Sequence, residues 1–220
     1  MRIVVAGGHG QIAMLLHPLL KERGHEVSAL IRNTEHADEV RHAGAEPVLC
    51  DLEAEDDITA AVSQANAVVF AAGAGPGSGA ARKLSMDRDG AIKLIDAAQR
   101  NGIQRYVMIS AMRAEEPRGN EVFETYLRAK SEADQALRRS GLDYTILRPG
   151  RLTNDPGRKR VRLGVHLPQG QIPRADVAVV VAYVLEAPAT VGCQFDLTSG
   201  DQDIADAVDS AAKAHDGSHH

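Results

Sequence analysis

Six short apolar runs, each separated from the next by a longer polar-and-apolar stretch, constrain this 220-residue chain more than any single motif does. They cover residues 3–6, 27–31, 47–50, 67–72, 106–109 and 144–147, and none alternates with polar residues. Runs of that kind fit strands buried on both faces, as in a parallel sheet covered by helices. Between them, residues 11–23 carry Ile12, Leu15, Leu16, Leu19 and Leu20 at helical spacing. Residues 87–100 do the same with Ile92, Leu94, Ile95 and Ala98, and residues 120–139 with Val122, Tyr126, Ala129, Ala133 and Leu137. These patterns stop at Gly24, Gly102 and Gly141, where glycine supplies a left-handed helix cap. Pro18 predicts a local kink in the first helix. Residues 174–186 and 202–214 read as further helices and 193–197 as a strand. The pattern predicts an α/β fold, a doubly wound, mostly parallel sheet of about seven strands with right-handed crossovers and a small C-terminal lobe.

Composition removes other classes. Apolar residues make up 44% of the chain and charged ones 25%, enough to bury a core. A net charge of −5 argues against a broad footprint on DNA, and 3% aromatics against a stacking platform for single strands, so no nucleic-acid partner is expected. Cys50 and Cys193 are too few for a disulfide framework or a Cys-rich zinc site; Cys193 reads as core. His17, His25, His36 and His42 lack metal-ligand spacing and read as surface residues, so no metal site is expected. The N-terminus meets glycine by residue 7, unlike a signal peptide, and the longest apolar stretch, residues 177–185, is far short of the ~20 residues of a membrane span. A cytoplasmic protein with no membrane partner is the expectation. Residues 217–220 read as a tag remnant, and the oligomeric state is not legible.

The first strand runs into Gly7-Gly8-His9-Gly10-Gln11-Ile12-Ala13. Glycines there let the backbone turn tightly and approach a pyrophosphate, while the opening helix presents unpaired N–H groups to it. His9 either touches a phosphate or faces solvent. The second strand ends at Arg32 where an NAD site would place a carboxylate; a guanidinium suits a 2′-phosphate, so NADP is the expected cofactor, ahead of NAD. Asp51, before Leu52, either accepts from the adenine amino group or caps the following helix. Ala71, Ala72 and Gly73 are small enough for a ribose or nicotinamide to lie against the backbone.

The fifth strand ends at Ser110, and the next helix carries Tyr126 and Lys130 on one face. An ammonium beside a phenol lowers its pKa from about 10, making Tyr126 a general acid or base, with Ser110 hydrogen-bonding the substrate oxygen. Arg158, Lys159, Arg160 and Arg162 either attract an anionic substrate or form a solvated basic face, the latter being favoured. Arg174-Ala175-Asp176 reads as a helix start, with Asp176 favourable there.

In this order of features the chain resembles the short-chain dehydrogenase/reductase superfamily, in its atypical NAD(P)-binding, epimerase-like branch with a Rossmann fold. The resemblance spans almost the whole chain. It implies a nucleotide loop at Gly7, Gly8, Gly10 and Ala13, and catalytic Ser110, Tyr126 and Lys130, with Lys130 also bonding the nicotinamide ribose. Residues 144–150 are similar to the sixth strand of extended and atypical members, which makes Pro149, Leu152 and Thr153 candidates beside the nicotinamide. The 16-residue gap from Ser110 to Tyr126 implies an enlarged loop at 111–120. Residues 1–149 are then the NADP-binding core and 150–216 a thin substrate-covering part, suited to a small or partly exposed substrate. The favoured activity is an NADP-dependent oxidoreductase acting on a small carbonyl or alcohol. An NAD-dependent, sugar-modifying epimerase or dehydratase of the sugar-nucleotide type and a non-catalytic NADP-sensing regulator similar to NmrA are the alternatives.

Overall fold

A computed structural model describes residues 1–75 and 77–216; the expected tag remnant lies outside them. The nucleotide half runs β1 (Arg2–Ala6), α1 (Gln11–Glu22), β2 (Glu26–Ile31), α2 (Ala37–His42), β3 (Glu46–Leu49), α3 (Thr59–Val62) and β4 (Ala67–Phe70). Next come α4 (Ala80–Arg82), a π-helix (Lys83–Gly90), α5 (Ala91–Arg100), β5 (Arg105–Ile109), α6 (Glu121–Arg139) and β6 (Asp143–Pro149). The remainder holds β7 (Arg151–Thr153), β8 (Arg160–Gly164), β9 (Gln171–Pro173), α7 (Arg174–Glu186), β10 (Cys193–Ser199), β11 (Gln202–Asp203) and α8 (Ile204–Asp216).

The main sheet has nine strands in the order β11-β8-β10-β6-β5-β4-β1-β2-β3. Seven of them, from β10 to β3, are parallel. The expectation of about seven strands therefore describes the parallel part. It missed β8 and β11, which add antiparallel at the β10 edge. In β8 Val161 and Leu163 alternate inward between exposed Arg160 and Arg162, the period of a half-buried edge strand. The basic cluster there is exposed, and its Arg160 and Arg162 belong to this strand while Arg158 and Lys159 precede it. Residues β7 and β9 form a separate two-stranded sheet.

The unbroken apolar runs are explained by cover on both faces. Ile3 and Val5 join the core under α1, α7 and α8, while Val4 and Ala6 join the one under α5 and α6. Gly24, Gly102 and Gly141 all take positive φ after their helices. Helix α1 continues through Pro18 to Glu22. The helix expected from residue 87 starts earlier, because the π-helix precedes it. Asp176 sits in the first turn of α7, buried, and accepts from the Arg158 and Lys159 N–H groups at 3.0 and 2.8 Å. Among the described residues no helix is long and apolar enough to cross a membrane.

Candidate active site

Strands β1 and β4 are neighbours whose following helices cover opposite faces, so a crevice opens at their carboxyl ends. A Cβ on Gly7 would lie 2.6 Å from the Ala72 Cα, and one on Gly8 only 2.5 Å from the Ala29 Cβ. The loop is wedged between the ends of β4 and β2, and a side chain at either glycine would expel it. The Gly10 N–H bonds the Gly7 carbonyl at 2.8 Å, and no side chain caps α1. Its first-turn N–H groups stay open to an anion, and the lack of acids there leaves the end of the helix positive.

His17 corrects one sequence expectation. It is fully buried, and its Nε2 donates to the Gly8 carbonyl at 2.7 Å. Burial holds its pKa below the ordinary histidine value, so the ring is neutral. Ala13, His17 and Leu20 share the buried stripe of α1, and this spacing was the available signal.

A cleft of about 740 Å³ runs from this loop to α6. Gly7, Gly8, His9, Gly10, Gln11 and Ile12 line it; so do Arg32, Asp51 and Leu52 from the ends of β2 and β3, and Ala71, Ala72 and Gly73 after β4. His9 stacks on His36 at 3.7 Å between centroids and bonds Glu39 at 2.9 Å. The half-exposed Arg32 lies 3.6 Å from Glu53, which also holds Arg82 at 3.1 Å and the Ser85 hydroxyl at 2.7 Å. Asp51 uses one carboxylate oxygen to cap the turn after it, accepting from Glu53 and Ala54 N–H groups at 2.9 and 3.3 Å. Of the residues after β6, Leu152 lines the cleft and Pro149 and Thr153 do not. Pro149 ends β6 against Leu197, and Thr153 pairs with Pro173 with its hydroxyl buried and unpartnered. Asn154 forms that part of the wall instead, held by Arg174 at 2.7 Å; both were missed.

Ser110, Tyr126 and Lys130 line the same cleft. The expected lowering of the Tyr126 pKa does not hold. Burial pushes the phenol above its ordinary value and outweighs the pull of Lys130. Asp87, fully buried on the π-helix, adds to this effect. Its carboxylate meets the Lys130 Nζ at 3.2 Å and accepts from the Ala74 N–H at 3.2 Å. Lys130 also donates to the Ile109 carbonyl at 3.2 Å, and its Nζ is 5.9 Å from the Tyr126 ring centroid. Its charge still favours the ionised phenol, but Asp87 offsets part of that pull. The protonated form of Tyr126 is thus the favoured one.

Behind Ser110, Asp134 lies one turn beyond Lys130 on α6 and is fully buried. It takes two bonds from Arg148, at 2.8 and 3.0 Å, and Arg148 reaches Glu115 in the 111–120 loop at 2.9 Å. The Ser110 hydroxyl sits beside Asp134 without closing a well-aligned hydrogen bond. Burial raises the Asp134 carboxyl despite Arg148.

A family described as NAD(P)H-binding matches residues 7–188. A Bacillus subtilis protein named as an uncharacterized sugar epimerase is 40% identical over 94% of this chain and 99% of its own length. A solved Bacillus halodurans structure named for the NAD-dependent epimerase/dehydratase class superposes with a TM-score of 0.91, at 40% identity over 96% of this chain and 99% of that one. A Veillonella parvula short-chain dehydrogenase/reductase solved with NADP has a TM-score of 0.71 at 19% identity, over 90% of this chain and 94% of that one, a likeness of fold.

Proposed function

The chain belongs to the NAD(P)H-binding family, and we propose that it is an NADP-dependent oxidoreductase acting on a small carbonyl or alcohol. The observation that carries this reading is the meeting of Ser110, Tyr126 and Lys130 with the glycine loop in one cleft. The residues fit a dinucleotide: a loop with no room for a Cβ, an uncapped helix start, and Arg32 at the end of β2. When bound, the nicotinamide supplies hydride to the carbonyl carbon. The Tyr126 hydroxyl donates its proton to the carbonyl oxygen and recovers one from solvent. Ser110 orients that oxygen, and Lys130, fixed by Asp87, gives the phenol a rigid, positively charged neighbour. A phenol held above its ordinary pKa suits the reducing direction, in which a proton is given.

One observation favours a second reading, the NAD-dependent epimerase or dehydratase suggested by the Bacillus relatives' names. Glu53 stands 3.6 Å from Arg32 and offsets part of its charge toward a 2′-phosphate. Screening carbonyl compounds for NADPH consumption separates the two. Turnover with NADPH supports the oxidoreductase; purified protein carrying bound NAD and consuming no NADPH supports the epimerase.

A further inference from the structure

Beside Tyr126 stands a lysine that the chemistry above does not use. Lys83 opens the π-helix and Asp87 follows four residues later. Tyr126 and Lys130 hold the same spacing on α6. The two pairs face each other where these helices pack, and π-helical turns of this kind recur at functional sites. Asp87 and Lys130 close an ion pair at 3.2 Å. Lys83 stands with its Nζ 5.2 Å from the Tyr126 ring centroid.

Asp87 and Lys130 balance each other's charge, and Lys83 beside Tyr126 has no such counterpart. Lys83 is 9% exposed. Among the described residues no carboxylate comes within 4.0 Å of its Nζ, and its one hydrogen bond goes to the Gly75 carbonyl at 2.7 Å. Asp87, whose charge it feels from further off, is held by Lys130, while Lys130 and Arg82 add positive charge around it. Taking an ammonium out of water costs several kcal/mol, which a single carbonyl does not return. Two of its three N–H groups remain for a ligand, and Lys83 lines the cleft together with Ser110 and Tyr126. The phosphate-binding features, the start of α1 and Arg32, belong to β1 and β2, on the other side of β4 from β5 and Ser110.

We propose that Lys83 seats a carboxylate of the substrate, which makes the substrate an oxo acid, or the hydroxy acid it becomes, with its carbonyl oxygen at Tyr126 and Ser110. This rests on the oxidoreductase reading for the carbonyl end only. The acid-binding subsite stands or falls by itself.

The test is a calorimetric titration of benzoylformate and of its neutral amide into the protein, each with and without saturating NADPH. Wild type should bind the acid about tenfold or more tighter than the amide, the scale of a charge-assisted contact. Lys83→Met should erase that preference and leave NADPH affinity unchanged, while Lys83→Arg should keep part of it. Removing an unpaired buried charge should also leave the melting temperature of Lys83→Met at or above wild type, which guards against simple misfolding. Equal binding of acid and amide by wild type would overturn the proposal. So would an acid preference that survives in Lys83→Met, or a loss of NADPH binding in that variant, which would make Lys83 a cofactor ligand. If wild type prefers the acid yet never binds NADPH, the oxidoreductase reading fails and the subsite remains.

Discussion

Asp87→Asn should cost this protein more than any other single-atom-scale change in the cleft. The Asp87–Lys130 contact is 3.2 Å between groups that are fully and almost fully buried. At an effective dielectric of about 20, its Coulomb attraction is about 5 kcal/mol. Asn is nearly the same shape and can still accept from the Ala74 N–H, so the change removes charge and little else. It leaves the Lys130 ammonium buried with a carbonyl for a partner, a situation that costs about 3–5 kcal/mol. For a chain of this size that corresponds to a fall in Tm of about 6–20 °C. Thermal denaturation followed by circular dichroism gives the number. The double variant Asp87→Asn/Lys130→Met supplies the sharper comparison, because it removes the orphaned charge as well. It should recover at least half of the loss. A fall of under about 2 °C in Asp87→Asn, or losses that simply add in the double variant, would show that the two charges are not coupled as the geometry requires.

Other outcomes follow from the same contacts. Arg32→Ala should weaken NADPH binding about tenfold, a modest loss because Arg32 is half exposed and shared with Glu53, with NADH affinity unchanged; fluorescence titration of both cofactors measures it. His17→Leu leaves the Gly8 carbonyl without a partner and should cost about 1–3 kcal/mol in urea denaturation. Gly8→Ala, with a Cβ 2.5 Å from that of Ala29, should abolish cofactor binding in the same titration. Because the Tyr126 pKa is raised, its protonated form is the one the fold favours. That contribution to stability is present below the ordinary phenol pKa of about 10 and is lost as pH rises through the higher folded value. The rate of carbonyl reduction should likewise hold across neutral pH and decline only above the ordinary phenol range, as a pH–rate profile would show.

The fold was legible because its signals were local and mutually consistent. Unbroken β-branched runs, helical stripes and a glycine after each helix are properties of neighbouring residues, and they located the parallel strands and the glycine loop. Strand β8 was not legible in the same way, since Arg160 and Arg162 dominate its composition and only its period of two betrays it. The site was legible where one element carries two groups at a fixed spacing, as α6 does with Tyr126 and Lys130. It failed where the deciding partner comes from a distant element. Burial outweighs the pull of Lys130 on Tyr126, and Asp87, which adds to that, lies 43 residues before Lys130 in a π-helix whose sequence reads as the start of an ordinary one. His17 was misplaced because residue type was weighed above its place in the apolar stripe of α1, and the Gly8 carbonyl that it serves comes from outside the helix. Asn154 belongs to no spaced pair in the sequence, and the spacing of Lys83 to Asp87 gains meaning only once the π-helix is seen to pack against α6.

The measurement that decides the function is the single-turnover rate of Tyr126→Phe with NADPH and a carbonyl substrate found by the screen. The phenylalanine keeps the ring beside Lys83 of the π-helix and removes only the proton donor. The expected result is a loss of about 10²–10⁴ in the chemical step, with NADPH affinity unchanged. Wild-type rates in that variant would contradict the assignment of Tyr126, and with it the oxidoreductase mechanism built on this cleft.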